Sequence, residues 1–217
     1  MASQFIYGKQ PVAEAERGRR RVHRVWRAPE TSGEELERLC GSPDHQGVVA
    51  EVDPYPYADP GGLLRSDGGL LVALDQVQDP RNLGAVCRSA EFAGAGGLVV
   101  PERRSAGVTA VACKTSAGAV EHLPVAHVRN LADWLGDAKE AGFWIWGADA
   151  GADSPPWEVD LKGPTVLVLG GEGKGLRPRV ASACDGLVSL PQGGRIESLN
   201  VSAAAAALLF EARRQRR

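Results

Sequence analysis

The stretch Leu70-Leu71-Val72-Ala73-Leu74-Asp75-Gln76-Val77-Gln78-Asp79-Pro80-Arg81-Asn82-Leu83-Gly84-Ala85-Val86-Cys87-Arg88-Ser89-Ala90 decides the fold class. Its first five residues are apolar without alternation, the pattern of a strand buried on both faces of a parallel sheet. Polar residues follow, and Leu83 to Ala93 then reads as a helix. Gly97 to Val100, Phe143 to Trp146, Val166 to Leu169 and Leu187 to Leu190 repeat the apolar run. Val108 to Ala117, Leu131 to Ala141 and Val201 to Arg213 repeat the helical pattern. Strand alternating with helix predicts an α/β fold, a parallel sheet flanked by helices.

In such sheets ligands bind beyond the carboxyl ends of strands, so polar residues just after the apolar runs are the candidates. The first group follows Leu74. Asn82 suits a helix N-cap, and Arg88, six residues on among Ala85, Val86, Cys87 and Ala90, needs either a structural carboxylate or a ligand. The second is Gly170-Gly171-Glu172-Gly173-Lys174-Gly175-Leu176, whose glycines let a backbone approach a ligand closely. A Walker phosphate loop fails here on spacing, because it needs Gly at Val168 and a hydroxyl at Gly175. A dinucleotide fingerprint fails as well, because the run Leu187 to Leu190 ends in Pro191 and not in an acid. The third group is Leu190-Pro191-Gln192-Gly193-Gly194-Arg195-Ile196-Glu197-Ser198-Leu199-Asn200, in which Ser198 or Asn200 suits the cap of the last helix. The alanines Ala203 to Ala207 suit that helix for close packing.

The segment 53–66 is dense in Pro and Gly and reads as a linker between residues 1–52 and 67–217. Before it, Val48 to Val52 reads as a strand with Val48, Ala50 and Val52 on one face. The net charge of −2 conceals segregation, because six arginines lie between Arg17 and Arg27 with no acid among them. Arg19, Arg20, Arg21, Arg24 and Arg27 are therefore candidates for RNA-backbone contact. The hydrophobic fraction of 43% and the lack of a long apolar run or a secretory leader predict a cytoplasmic protein without a membrane span. Cys40, Cys87, Cys113 and Cys184 are widely spaced and read as reduced and structural. No His/Cys/Asp cluster calls for a metal, and His45, His122 and His127 read as surface or packing residues.

The segments NLGAVCRSAEFAG, LGGEGKGL and LPQGGRIESLNVSAAAAALLFEARRQ, in this order, resemble the signature motifs of the SpoU branch, also called the TrmH family, of the SPOUT RNA methyltransferases. The likeness spans about Leu70 to Gln215. IYGKQPVAEA, RRRV and DHQGVVAEV further resemble the RNA-binding extension of the subgroup that methylates a guanosine ribose of large-subunit ribosomal RNA. The resemblance implies a C-terminal deep trefoil knot, a homodimer with its active site near the subunit interface, and S-adenosyl-L-methionine as cofactor. It places Asn82, Arg88, Glu172, Ser198 and Asn200 in the catalytic set. Gly170, Glu172, Gly173, Leu190 and Leu199 then hold the cofactor, the adenosine on the backbone of Gly170, Leu190 and Leu199. Ala28 to Asp44 reads as a short acidic stretch where the subgroup carries a further strand and helix, so the extension is expected to be abbreviated, with folding of residues 1–52 on their own in doubt.

The implied reaction transfers methyl to a ribose 2′-hydroxyl. A guanidinium is too basic to be an easy general base, so Arg88 is expected to stabilise developing alkoxide or grip a phosphate, with Glu172 orienting it and Ser198 and Asn200 holding the loop or the ribose. Transfer RNA, a resistance-type ribosomal target, or a catalytically silent RNA-binding homologue are the alternatives.

Overall fold

The computed structural model describes residues 3–65, 69–173, 175–195 and 198–217. The motif residues Lys174, Ile196 and Glu197 lie outside them.

Six strands, β4 (Leu70–Asp75), β5 (Gly97–Pro101), β6 (Val125–Val128), β7 (Trp144–Ala148), β8 (Thr165–Gly170) and β9 (Gly186–Val188), form a sheet in the order β6-β5-β4-β8-β7-β9. Every pairing within it is parallel. All six residues of β4 are buried: Leu70, Val72 and Leu74 face one core, Leu71 and Ala73 the other. This two-sided burial is why the run shows no alternation. On the first face lie α4 (Pro80–Ala93) and α8 (Val201–Gln215), which bury Val86, Cys87 and Ala90 against Ala205, Leu208 and Ala212. The second face is covered by α6 (Leu131–Glu140) and α7 (Pro178–Ala183) through Leu131, Trp134, Leu135 and Val180.

Several expectations shift. Asp79, not Asn82, caps α4, its Oδ1 accepting from the Arg81 N–H at 2.8 Å. Pro80 opens the helix at a position where its missing N–H costs nothing, so Asn82 falls inside the first turn. The helix expected from Val108 is only α5 (Ala110–Thr115), ended by left-handed Ala117 and Gly118. The strand β6 leaves no pattern in the sequence, because Val125-Ala126-His127-Val128 is short and follows Pro124. Along α8 only part of the alanine run packs, since Ala203 and Ala207 are exposed.

Three antiparallel strands precede the large sheet: β1 (Gln4–Tyr7), β2 (Val22–Arg27) and β3 (Val48–Val52), ordered β1-β3-β2, with α1 (Lys9–Arg17) between the first two. Val48, Ala50 and Val52 share one face as expected. Together with Ile6, Val12 and Ala15 they join the core that contains Ala112, Cys113 and Val120. The expected bare stretch Ala28 to Asp44 instead carries α2 (Gly33–Cys40). Its Ser32 hydroxyl accepts from the Glu35 N–H at 3.2 Å, Glu34 and Glu35 favour its first turn, and left-handed Gly41 ends it. Leu36 of α2 packs on Tyr7 and Val49.

The segment after β3 is a fastened strap. Tyr55 donates to the carbonyls of Val120 and Leu123 at 3.0 Å, and Tyr57 stacks on His127 at 3.8 Å between centroids. The helical turn α3 (Pro60–Leu63) then leads into β4.

Candidate active site

At the carboxyl end of β4, Asp75 is fully buried, and a buried carboxylate needs compensating donors. Arg177, just before α7, supplies them: its N–H reaches Oδ2 at 2.9 Å, while Nε and Nη2 both reach Oδ1 at 2.7 Å. Gly171 also donates to the Asp75 carbonyl at 2.8 Å. These bonds tie the loop after β8 to the end of β4. The loop turns so tightly that a Cβ on Gly170 would stand 2.1 Å from the Gly175 carbonyl carbon, and on Gly171 2.6 Å from the Gln76 oxygen. Only glycine fits either position. Between the two loops lies a cleft of about 510 Å³ lined by Gln76, Gln78, Asp79, Asn82, Glu172 and Arg177, among others.

Three of the expected residues meet at its edge. The Asn82 amide donates to Glu172 Oε1. Asn200 Nδ2 donates to Asn82 Oδ1 at 3.1 Å and to Glu172 Oε1 at 3.2 Å. The same Asn200 caps α8, its Oδ1 accepting from the Ser202 N–H at 2.8 Å and the Ser202 hydroxyl at 2.5 Å. An amide can do both because its oxygen accepts while its nitrogen donates. The cap of α8 and the bridge between Asn82 and Glu172 are therefore one side chain.

The other expected residues are placed differently. Ser198 and Gly173 are exposed, Gly173 with φ +75°, and Leu190 is half-buried. Leu199 leaves an apolar side chain 61% exposed beside Asn200. Of the expected cofactor residues, Glu172 lines the cleft, whereas Gly170, Gly173, Leu190 and Leu199 lie outside its lining. Arg88 does not join the cluster. At 100° per residue it sits about 120° round α4 from Asn82 and about 9 Å further along. It is exposed and, among the described residues, unpaired, so Glu172 does not orient it within this chain.

The arginine cluster also divides. Arg20 is buried and pairs with the equally buried Glu121, donating further to Gln4 at 3.0 Å and to Cys113 at 3.2 Å. Arg19 donates to the carbonyls of Glu121 at 3.2 Å and Leu123 at 2.9 Å. Both hold the N-terminal sheet to the large domain; Arg20 is buried away from RNA, whereas Arg19 is exposed with its guanidinium already bonded to those carbonyls. Arg27 pairs with Glu16 at 3.2 Å. Arg21 and Arg24 remain exposed, Arg24 lying 4.7 Å over the Trp26 ring. The Asp75–Arg177 clip was missed, although an acid ending a fully apolar strand is a signal that something must meet it.

The sequence profile of the SpoU rRNA methylase family matches residues 69–210, and that of the RNA 2′-O ribose methyltransferase substrate-binding region matches 27–58. An uncharacterized tRNA/rRNA methyltransferase of Mycolicibacterium smegmatis is 52% identical over 189 residues, covering 84% of this chain and 60% of the relative. The chain thus spans about three fifths of the length of such curated relatives. Among solved structures, the SpoU methyltransferase AviRb of Streptomyces viridochromogenes in complex with AdoMet superposes with TM-score 0.85 at 27% identity, over 99% of this chain and 90% of that one. An RNA 2′-O ribose methyltransferase superposes with TM-score 0.82 at 26% identity, over 98% and 88%. With the family profile covering most of its length and this fold shared throughout, the chain belongs to the SpoU rRNA methylase family.

Proposed function

We propose that the protein binds S-adenosylmethionine and methylates a ribose 2′-hydroxyl in RNA, on a guanosine of large-subunit ribosomal RNA. The observation that carries this reading is the Asn82–Glu172–Asn200 cluster, which draws one polar residue from each of three separate motif segments to the carboxyl end of a parallel sheet. The residues present fit the cofactor. Leu199 is open to an apolar ring, and residues 191–195 of the loop before it are exposed. AdoMet in the AviRb complex and the substrate-binding profile support the reading.

When bound, the cofactor supplies an electrophilic methyl on a sulfonium sulfur, which keeps the bond pair as the ribose oxygen takes the methyl. The protein aligns that oxygen and disposes of its proton. Both amides bond to Glu172 Oε1, which leaves Oε2 to accept the hydroxyl proton. Arg88 stabilises the developing alkoxide, and it does so from a second protomer. Arg88 and Phe92 share an exposed stripe of α4. Phe92 (77% exposed) lies 5.9 Å from Phe210, which shares an exposed stripe of α8 with Ala203 and Ala207. An apolar face of this kind suits another helix pair. A homodimer built on it carries Arg88 outward to its neighbour.

Calorimetry on the chelator-treated protein should show S-adenosylmethionine binding, and mapping of 2′-O-methyl groups in RNA gives the product. Arg88→Ala should lose roughly 100-fold or more in rate while cofactor affinity is retained. Co-assembly of Arg88→Ala with Glu172→Gln should restore part of the activity if each variant supplies what the other lacks. Full activity in the Arg88→Ala homodimer would sink the role.

A further inference from the structure

With the ribose at the Asn82–Glu172–Asn200 cluster, as proposed above, we propose that the adjoining cleft receives the unstacked base of the target nucleotide, and that Arg177 and Asp79 select guanine there. A guanidinium has five N–H groups in a fixed fork. Asp75 Oδ1 engages Nε and Nη2 from one side, which leaves the outer fork of Nη1 and Nη2 free among the described residues. Because Asp75 is fully buried, Arg177 is held in one orientation, yet its side chain is 43% exposed and lines the cleft. Asp79 also lines the cleft. Its Oδ1 is committed to the cap of α4, leaving Oδ2 as an acceptor.

Charge decides which part of an RNA fits. Arg177 is neutralised by Asp75, and the lining adds the carboxylates of Asp79 and Glu172. Among the described lining residues, a phosphate would meet more carboxylate than guanidinium charge. An uncharged base with paired acceptors and nearby donors is complementary. Guanine offers O6 and N7 to an arginine fork, the commonest specific base contact, and N1–H and N2–H₂ to a carboxylate. Adenine lacks the paired acceptors and places a donor where the fork points. The enzyme would take its base out of the stack, as enzymes acting on single nucleotides do.

The test uses the full chain loaded with S-adenosylhomocysteine and titrated with guanosine, inosine and adenosine, followed by saturation-transfer NMR. Guanosine should bind about tenfold or more tighter than adenosine, with inosine, lacking the 2-amino group, between them. Arg177→Lys keeps a charge for Asp75 but loses the fork, and Asp79→Asn keeps the α4 cap but turns an acceptor into a donor. Both should remove the preference for guanosine while cofactor affinity by calorimetry stays within about twofold of the parent. Equal binding of the three nucleosides, or an undiminished guanosine preference in both variants, would overturn the assignment while leaving the methyltransferase reading standing. Guanosine binding to the free protein that S-adenosylhomocysteine abolishes would overturn it too, because the cleft would then hold the amino-acid end of the cofactor. Absence of cofactor binding by the parent chain would instead count against the proposed function.

Discussion

At the scale of single residues, the ion pair of Arg20 with Glu121 fastens the N-terminal sheet to the rest of the chain. Arg20 and Glu121 have no exposed side-chain surface and lie about a hundred residues apart, bringing the N-terminal sheet onto the turn after α5. Exposed pairs contribute under about 1 kcal/mol, but removing one member of a buried pair strands the other charge and typically costs about 3–5 kcal/mol. Arg20→Ala should therefore lower stability by roughly that amount in urea unfolding, as should Glu121→Ala. The double variant should lose less than the sum of the two, because neither charge is left alone. Additive losses would mean that the pair is not coupled. The sequence could not separate Arg20 from Arg21, because both stand in one basic run and only the distant Glu121 distinguishes them. Asn200 is the opposite case. Both of its readings, helix cap and site residue, were available from sequence; the cap is seen, and the same side chain bonds Asn82 and Glu172, on which its proposed site role rests.

At the scale of elements, the end of α8 is fastened by a small polar knot. Glu211 accepts from Arg214 Nε at 2.8 Å and Nη2 at 2.7 Å, and from Gln215 Nε2 at 2.8 Å. Gln215 in turn donates to the carbonyl of Val159 at 3.2 Å and accepts from the Leu161 N–H at 3.0 Å. Hydrogen bonds from Arg214 first and Gln215 second hold the Glu211 carboxyl down to about 2. A carboxylate whose folded value is depressed adds stability above its unfolded value, near 4.5, and that stability fades as pH falls towards 2. Protection of the amides of residues 211–216, taken against their intrinsic exchange rates, should accordingly fall between about pH 4.5 and 2, while Glu211→Gln should show lower protection at neutral pH and little change across that window. The strands and helices themselves were legible wherever burial on both faces left long apolar runs, as in β4 and β8. Short β6 was not, because four residues after a proline carry too little pattern. The capping signal Ser32-x-x-Glu35 of α2 was present but was overshadowed by the acidic composition around it.

At the scale of the molecule, the division expected at residue 52 does not separate two cores. Ile6, Val12, Val48 and Ala50 pack in the same cluster as Ala112, Cys113 and Val120. Removing residues 1–52 would bare that surface and leave Glu121 buried without a partner, so such a deletion reports on folding and not on RNA. Charge reversal is the cleaner probe. Of the five candidate arginines, Arg21 and Arg24 are exposed with side chains that have neither a carboxylate nor a hydrogen-bond partner among the described residues, whereas Arg19 is bonded to the carbonyls of Glu121 and Leu123. If they meet RNA phosphates, the logarithm of RNA affinity against the logarithm of salt should flatten by about 0.7 to 0.9 for each phosphate no longer neutralised, so by roughly 1.4 to 1.8 in the double variant Arg21→Glu/Arg24→Glu. Affinity should fall across RNA sequences alike, because phosphates carry no base identity. Cofactor affinity and the unfolding midpoint should stay put, since neither side chain touches the active-site cluster or the Arg20–Glu121 pair. Repeating the measurement with Arg27→Ala fixes the background, because Arg27 already answers Glu16 and should contribute little. An unchanged slope in the double variant would leave recognition to the large domain, and would make the exposed arginines an ordinary solvated edge of β2.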